Sequence, residues 1–386
     1  MVWIVHCNLP LAFSESREAR RYSNLQPVSQ ETLPAGMDGV MLTIERAIAA
    51  ELLARFGIML GGWTHASEHY LDVFACYEVD TRPKTALLSM TPLLNAEDDD
   101  LTARGHREFL ETIMPGDYGV QLEQCRFFVG DNCSVNRQLA TLTGVPLIGC
   151  ASHRLNLAVK ADMASHKDDL AAVHALMVED QLSACHPSRN SLELAFVIVN
   201  RYFKLLEFLD PEDDDILHLL PSPACNKRLR VLMVKLRDIE SVAKALQGLN
   251  VDLLDVQQWF DELMSAKPQL AHYLGPRANI VHSPDFESGC VRVLRGKSGR
   301  LNRAEKAALQ SFATTRSSAE PDNAADVSTS FVERLRKRRR LAEAAVAVAR
   351  VTFGQQRRGL LPLILETLLF LNENQSYWDA STAGRA

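Results

Sequence analysis

The chain has 386 residues, 47% of them apolar and 23% charged. That balance excludes a disordered or fibrous protein and suits two or three folded domains. Its eight cysteines form no CxxC pair, so neither a zinc ribbon nor a disulfide framework is expected, and free thiols fit a reducing compartment. The net charge of −6 hides an asymmetry, because residues 291–360 carry 16 Lys and Arg against 6 Asp and Glu, a local +10, leaving 26 against 42 elsewhere. A polyanion can be drawn only to that block; the alternative is a solvated surface with its charges spread over several faces.

The longest apolar run, Leu360–Leu371, is interrupted by Pro362 and Glu366 and falls short of the ~20 residues a membrane span needs. Met1-Val2-Trp3-Ile4-Val5-His6 has no basic n-region, which reads against a signal peptide. The expectation is an intracellular protein, nuclear or cytoplasmic and not secreted, with no membrane and no small-molecule substrate as partner.

Residues 1–55 read as mostly helical, with an amphipathic run over Met41–Ala54 (Leu42, Ile44, Ala47, Ile48, Leu52). Phe56–Leu60 is a short apolar strand ending at Gly61-Gly62, and Leu71, Val73, Ala75, Tyr77 and Val79 share one face of a second strand over Tyr70–Val79. Lys84–Met90 makes a third, completing an antiparallel meander. A helix follows over Thr102–Met114, closed by Pro115-Gly116, then a buried strand Arg126–Gly130, a helix over Ser134–Thr143, a strand Pro146–Cys150 and a helix from His153. The order β-β-β-α-β-α-β-α predicts an α/β fold, a ribonuclease H-like mixed five-stranded sheet with flanking helices; periodicity alone does not separate it from other α/β sandwiches. From 164 to 342 leucine-rich helical periods dominate, with a Ser/Thr/Ala/Asp-rich linker over Ser311–Ser330. The closing helix near Pro362 is apolar nearly all round and must be buried, in its own domain or against a second copy.

Gly62-Trp63-Thr64-His65, Gly130-Asp131-Asn132 and the string Cys150-Ala151-Ser152-His153-Arg154-Leu155-Asn156-Leu157-Ala158-Val159 resemble the hAT transposases. Cys7–Leu11, Ile280–Glu287, Arg350–Gly354 and Leu365–Leu371 through Asn374 to Trp378 match in the same order. The resemblance implies a ribonuclease H-like core interrupted by a large all-α insertion. The implied division is a helical N-terminal region 1–55, the first part of the core 56–165, the insertion 166–342 and C-terminal helices 343–386 that complete the core and serve homo-oligomerisation.

The resemblance also implies two divalent ions, Mg²⁺ or Mn²⁺, held by three carboxylates for DNA cleavage and joining. Asp131 corresponds to the second carboxylate, and Glu343 falls in register with the third, without the Arg and aromatic residues that normally surround it. The first position, immediately before Gly62-Trp63-Thr64, is Gly61, which has no side chain to bind metal. Asp72 and Glu68 lie nearby as candidates for a relocated carboxylate. Cys150, His153 and Arg154, with Arg189 in Ser188-Arg189-Asn190-Ser191, are implied to handle DNA; the family's Trp after that Arg is Asn190 here. Arg336, Lys337, Arg338, Arg339 and Arg340 read as phosphate contacts, an import signal or a solvated helix face. Residues 1–55 contain no paired Cys and His ligands, so the family's BED zinc finger is not found there and no zinc is expected. The expectation is a DNA-binding, dimerising relative with a degenerate active site; an active enzyme with a relocated carboxylate and a pure interaction scaffold are the alternatives.

Overall fold

The computed structural model describes residues 1–7, 9–22, 28–52, 55–65, 68–80, 82–93, 102–179, 191–208, 220–248, 251–312 and 362–383. Glu343, Arg189 and Arg336–Arg340, with most of the expected linker, lie outside the described residues.

The short helices α1 (Val2–His6) and α2 (Arg17–Tyr22) precede α3 (Thr32–Glu51). Leu33, Met37, Val40, Ile44 and Ile48 form the buried stripe of α3, one residue per turn on one face. The stripe begins well before the expected run at Met41, and Leu42 is exposed. Pro34 reads as a helix breaker, yet it lies in the first turn, where a missing N–H removes no helical bond.

β1 (Phe56–His65), β2 (Glu68–Val79) and β3 (Arg82–Leu93) form the meander, followed by α4 (Ala103–Asp117), β4 (Cys125–Gly130), α5 (Ser134–Thr143) and β5 (Leu147–Gly149). The five strands make one mixed sheet in the order β3-β2-β1-β4-β5, with β1 antiparallel to β2 and parallel to β4. β1 does not stop at Gly61-Gly62, because β2 pairs residue for residue with both glycines and on to His65. Pro115 likewise sits within the last turn of α4, on its exposed side, rather than ending the helix before it.

The α3 stripe, Ile58 and Leu60 of β1 and Leu71, Val73, Ala75 and Tyr77 of β2 share one core. The last long helix, over Pro362–Glu373, adds Leu368, Phe370 and Leu371 to it.

The remaining helices are α6 (Ala151–Met163), α7 (Lys167–Glu179), α8 (Ser191–Leu205), α9 (Pro223–Leu246), α10 (Leu253–Ala266), α11 (Ala271–Leu274), α12 (Pro284–Leu294), α13 (Arg303–Ala308), α14 (Pro362–Glu373) and α15 (Ala380–Ala383). Contacts divide the chain into a sheet unit, whose described residues lie within 1–148, 292–312 and 362–383, and a helical unit over 149–291. The helical unit has its own core, in which Leu155, Ala158 and Val159 of α6 meet Tyr202, Leu229, Leu232 and Phe260. Those three residues place α6 in the helical unit, whereas the sequence reading put it in the first part of the sheet domain. Among the described residues no strand falls between 164 and 312, and no helix is long and apolar enough to cross a membrane.

β3 is an edge strand, and an edge with open N–H and C=O groups invites pairing with another chain. Here Leu87 N–H donates to Asn374 Oδ1 at 3.2 Å and Asn374 Nδ2 donates to the Leu87 carbonyl at 2.9 Å. Asn374 is buried and follows α14. Thr91 Oγ1 donates to Glu366 Oε1 at 3.0 Å on the same helix, and Trp378 Nε1 returns to the Leu371 carbonyl at 2.8 Å. Leu368, Phe370 and Leu371 of the closing helix are thus used inside its own unit.

Asn374→Ala leaves both Leu87 groups buried without partners, and is expected to cost about 2–4 kcal/mol, read as a lower urea midpoint; a change below about 0.5 kcal/mol contradicts this edge closure. A second prediction concerns pH. Burial, reinforced by the Asp117 carboxylate and opposed by Arg46, pushes Glu45 up to about 7 from an ordinary 4.5. The fold therefore favours neutral Glu45, and the associated stability is complete below the unfolded value and lost as pH rises through about 7. Glu45→Gln should flatten the fall in Tm between about pH 4.5 and 7; an unchanged slope contradicts the assignment.

Candidate functional site

In the parallel pair of β1 and β4, Met59 stands beside Val129. Carried two residues further, that register brings Gly61 level with Asp131, just past the end of β4. The strands stay close there, since a Cβ built on Gly130 would lie 3.3 Å from the Leu60 carbonyl oxygen. On the other side of β1, Gly61 pairs directly with Asp72 of β2. Residues opposite one another on neighbouring strands project to the same face. Gly61 therefore shares a face of the sheet with Asp72 and stands level with Asp131. Asp72 is fully buried, 0% exposed, whereas Asp131 is half-buried.

Local hydrogen bonds fix Asp131. Asn136, one turn into α5, donates through Nδ2 to Asp131 Oδ1 at 2.7 Å and to the Asp131 carbonyl at 3.2 Å. Cys133 N–H also reaches Oδ1, at 3.4 Å. A side chain on Gly130 would meet Asn136 Nδ2 at 2.9 Å, so the glycine of Gly130-Asp131-Asn132 is what lets Asn136 close on the carboxylate. Beside it, the Asn132 side-chain amide has both Nδ2 and Oδ1 shielded from solvent without a hydrogen-bond partner. Such a group costs about 1–3 kcal/mol, and its presence here marks the strand end as a place suited to a polar partner. Cys133 caps α5 through its sulfur, which accepts from Asn136 N–H at 3.4 Å. Burial and the neighbouring Asp131 carboxylate hold its thiol above the ordinary value, so it is no ready nucleophile.

Cys150, His153 and Arg154 belong to the helical unit. Cys150 is the N-cap residue of α6 and His153 is half-buried on its first turn. Arg154 departs from expectation. Its guanidinium is buried, with Nη1 3.3 Å from Glu287 Oε2, Nη2 donating to the Leu274 and Gly275 carbonyls at 3.0 Å each, and Nε donating to the Tyr273 carbonyl at 3.2 Å. Four of the five donors of an arginine are thereby engaged inside the protein, which leaves this residue no part in contacting a DNA phosphate. Glu287 Oε1 accepts from Gly149 N–H at 3.1 Å. Burial pushes the Glu287 carboxyl up while Arg154 and that amide oppose the shift. The pair joins two strings of the sequence, Cys150–Val159 and Ile280–Glu287, into one buried network.

The geometry thus gathers Gly61, Asp72 and Asp131 at one level of the sheet, while Arg154 serves the interior of the helical unit. Among the described residues no group of three or more His, Cys, Asp or Glu could hold a metal ion. The sequence reading missed Asn136 and Glu287. A signal for Asn136 was present, an amide five residues after the candidate carboxylate at the start of a helix; Glu287 ends the matching string Ile280–Glu287, but nothing local points to its partner, more than a hundred residues away. No protein-family model matches the chain, and no curated protein matches it.

Arg154→Met leaves Glu287 buried without its cation and is expected to destabilise by about 3–5 kcal/mol, whereas Arg154→Met with Glu287→Met loses less. Denaturation of the two variants checks this; equal losses would contradict a coupled pair.

Proposed function

We propose that this chain is a transposase-derived protein of hAT type, with a ribonuclease H-like sheet unit and an all-helical unit, that binds nucleic acid and has lost the ability to cut it. The mixed sheet supports the fold part of this reading: its five strands include an antiparallel meander joined to a parallel β4. The register supports the loss of cutting. Gly61, within β1, stands level with Asp131 just past the end of β4, the two positions where the resemblance sets its first two metal ligands, and glycine offers no oxygen.

Mg²⁺ or Mn²⁺ would need several hard oxygen donors there. Asp131 has one oxygen engaged by Asn136, and Asp72 is fully enclosed. The described donor set does not fit a two-metal pair, and no cleavage step follows from it. Loss of a group that merely supports a ligand costs roughly 10–100-fold in metal affinity or activity; loss of the ligand itself costs more. Binding of nucleic acid draws its support from the basic block at 291–360, in a chain that is acidic elsewhere.

A second reading, an active enzyme in which Asp72 takes over from the missing ligand, is favoured by its direct pairing with Gly61. Its complete burial weighs against that role, because a substrate phosphate has no path to it in this conformation.

A supercoiled-DNA nicking assay with Mg²⁺ and with Mn²⁺ separates the two. The unmodified chain is expected to stay at the level of Asp131→Asn. Nicking by the unmodified chain that disappears in Asp72→Asn overturns the reading and establishes the relocated carboxylate.

A further inference from the structure

Residues 292–306 carry six cations, Arg292, Arg295, Lys297, Arg300, Arg303 and Lys306, against one carboxylate, Glu305. All six cations are exposed, while Glu305 is 1% exposed. The single negative charge is spent inside the turn, where Arg292 Nε donates to Glu305 Oε1 at 2.9 Å and Asn302 N–H donates to Oε2 at 3.0 Å. Asn302 Oδ1 accepts in return from Glu305 N–H at 2.8 Å, closing a capping box on α13. The other end is equally fixed. Gly296, at φ +71°, ends α12 with Lys297 N–H bonded to the Arg292 carbonyl at 2.9 Å and Gly296 N–H to the Val293 carbonyl at 2.8 Å. This is the Schellman pattern, which needs a left-handed residue and so favours glycine.

The segment is therefore a pinned basic turn, not a loose charged tail. Surface cations that are already positioned lose less freedom on binding a polyanion. With a net charge of −6, the chain as a whole repels polyanions, so binding must come from a local patch such as this. Residues 292–306 contain no aromatic side chain on which an unpaired base could stack, which favours contacts to the phosphates of a duplex over readout of single-stranded bases.

We infer that the turn over 292–306 is a docking surface for the phosphate backbone of duplex nucleic acid, with Lys297, Arg300, Arg303 and Lys306 making the contacts. The inference rests on the nucleic-acid reading above and adds the surface that carries it. It assigns the described part of the basic block a role that the sequence reading gave to Arg336–Arg340.

The test is a fluorescence-anisotropy titration of the full chain with labelled mixed-sequence duplex DNA across about 50–200 mM salt. Two variants accompany it: one with Lys297, Arg300, Arg303 and Lys306 each changed to Gln, and a charge-matched control with Lys204, Lys227, Lys235 and Arg237, all exposed on the helical unit, changed to Gln. Urea midpoints confirm that both variants remain folded. The turn variant should bind at least tenfold more weakly, and the slope of log affinity against log salt should fall by about 3–4, since each phosphate contact contributes about 0.9. The control should keep its affinity within about threefold, because none of its four charges belongs to the turn. Binding by the unmodified chain that survives in the turn variant, or falls equally in both variants, overturns the surface but leaves nucleic-acid binding standing. No binding by the unmodified chain at the lowest salt overturns both.

Discussion

β1 is hydrogen-bonded on one side to an antiparallel partner that pairs Gly61 with Asp72, and on the other to a parallel one whose register, carried two residues past Met59, brings Gly61 level with Asp131. Because opposite residues on adjacent strands share a face, that position decides which groups can act together on the sheet. Asp131 is held from one side by Asn136, and Asp72 lies buried on the other. Between them the chain contributes only a hydrogen atom. Two carboxylates separated by a residue that cannot bind metal make a poor cage for two cations, although the same strand end keeps the ordered carboxylate and the shielded Asn132 amide of a polar site.

The rest of the architecture holds that position in place. A buried asparagine closes the exposed edge of the sheet by occupying both hydrogen-bonding groups of Leu87, and the closing helix supplies Leu368, Phe370 and Leu371 to the core. Tyr77, from the core face of β2, meets Tyr377 hydroxyl to hydroxyl at 2.6 Å, so the C-terminal segment is tied to the meander by polar as well as apolar contacts. The helical unit depends on an interior link of its own, the Arg154–Glu287 pair with its three backbone carbonyls. An ion pair excluded from water stabilises little by itself, but loss of either member is costly; it specifies which helices meet.

Period-2 alternation was enough to read β2, because Leu71, Val73, Ala75 and Tyr77 face one core. The sheet's mixed character was legible from the order of its elements. What failed was local propensity where pairing overrides it: two glycines looked like the end of β1, yet a full-length partner strand carries the ladder through them. The start of α3 at Thr32 also lay ahead of the amphipathic run read from Met41. Arg154 was unreadable as an interior residue, since its charge suggests a surface and its acceptors, 119 to 133 residues away, leave no local trace. The placement of α6 was missed for the same reason, as the residues that bury Leu155 and Val159 come from distant helices. At the strand end, Asp131 and the gap at Gly61 were legible from motif spacing, while the pairing of Gly61 with Asp72 needed the register.

On the proposed reading, the level of the sheet shared by Gly61 and Asp131 holds no pair of divalent ions. Titration of the full-length unmodified chain with Mn²⁺, followed by electron paramagnetic resonance, tests it most directly. The account predicts no saturable binding that depends on Asp131, so the unmodified chain and Asp131→Asn give the same isotherm. Two Mn²⁺ bound per chain with the exchange-coupled signal of adjacent ions, abolished by Asp131→Asn, would contradict it.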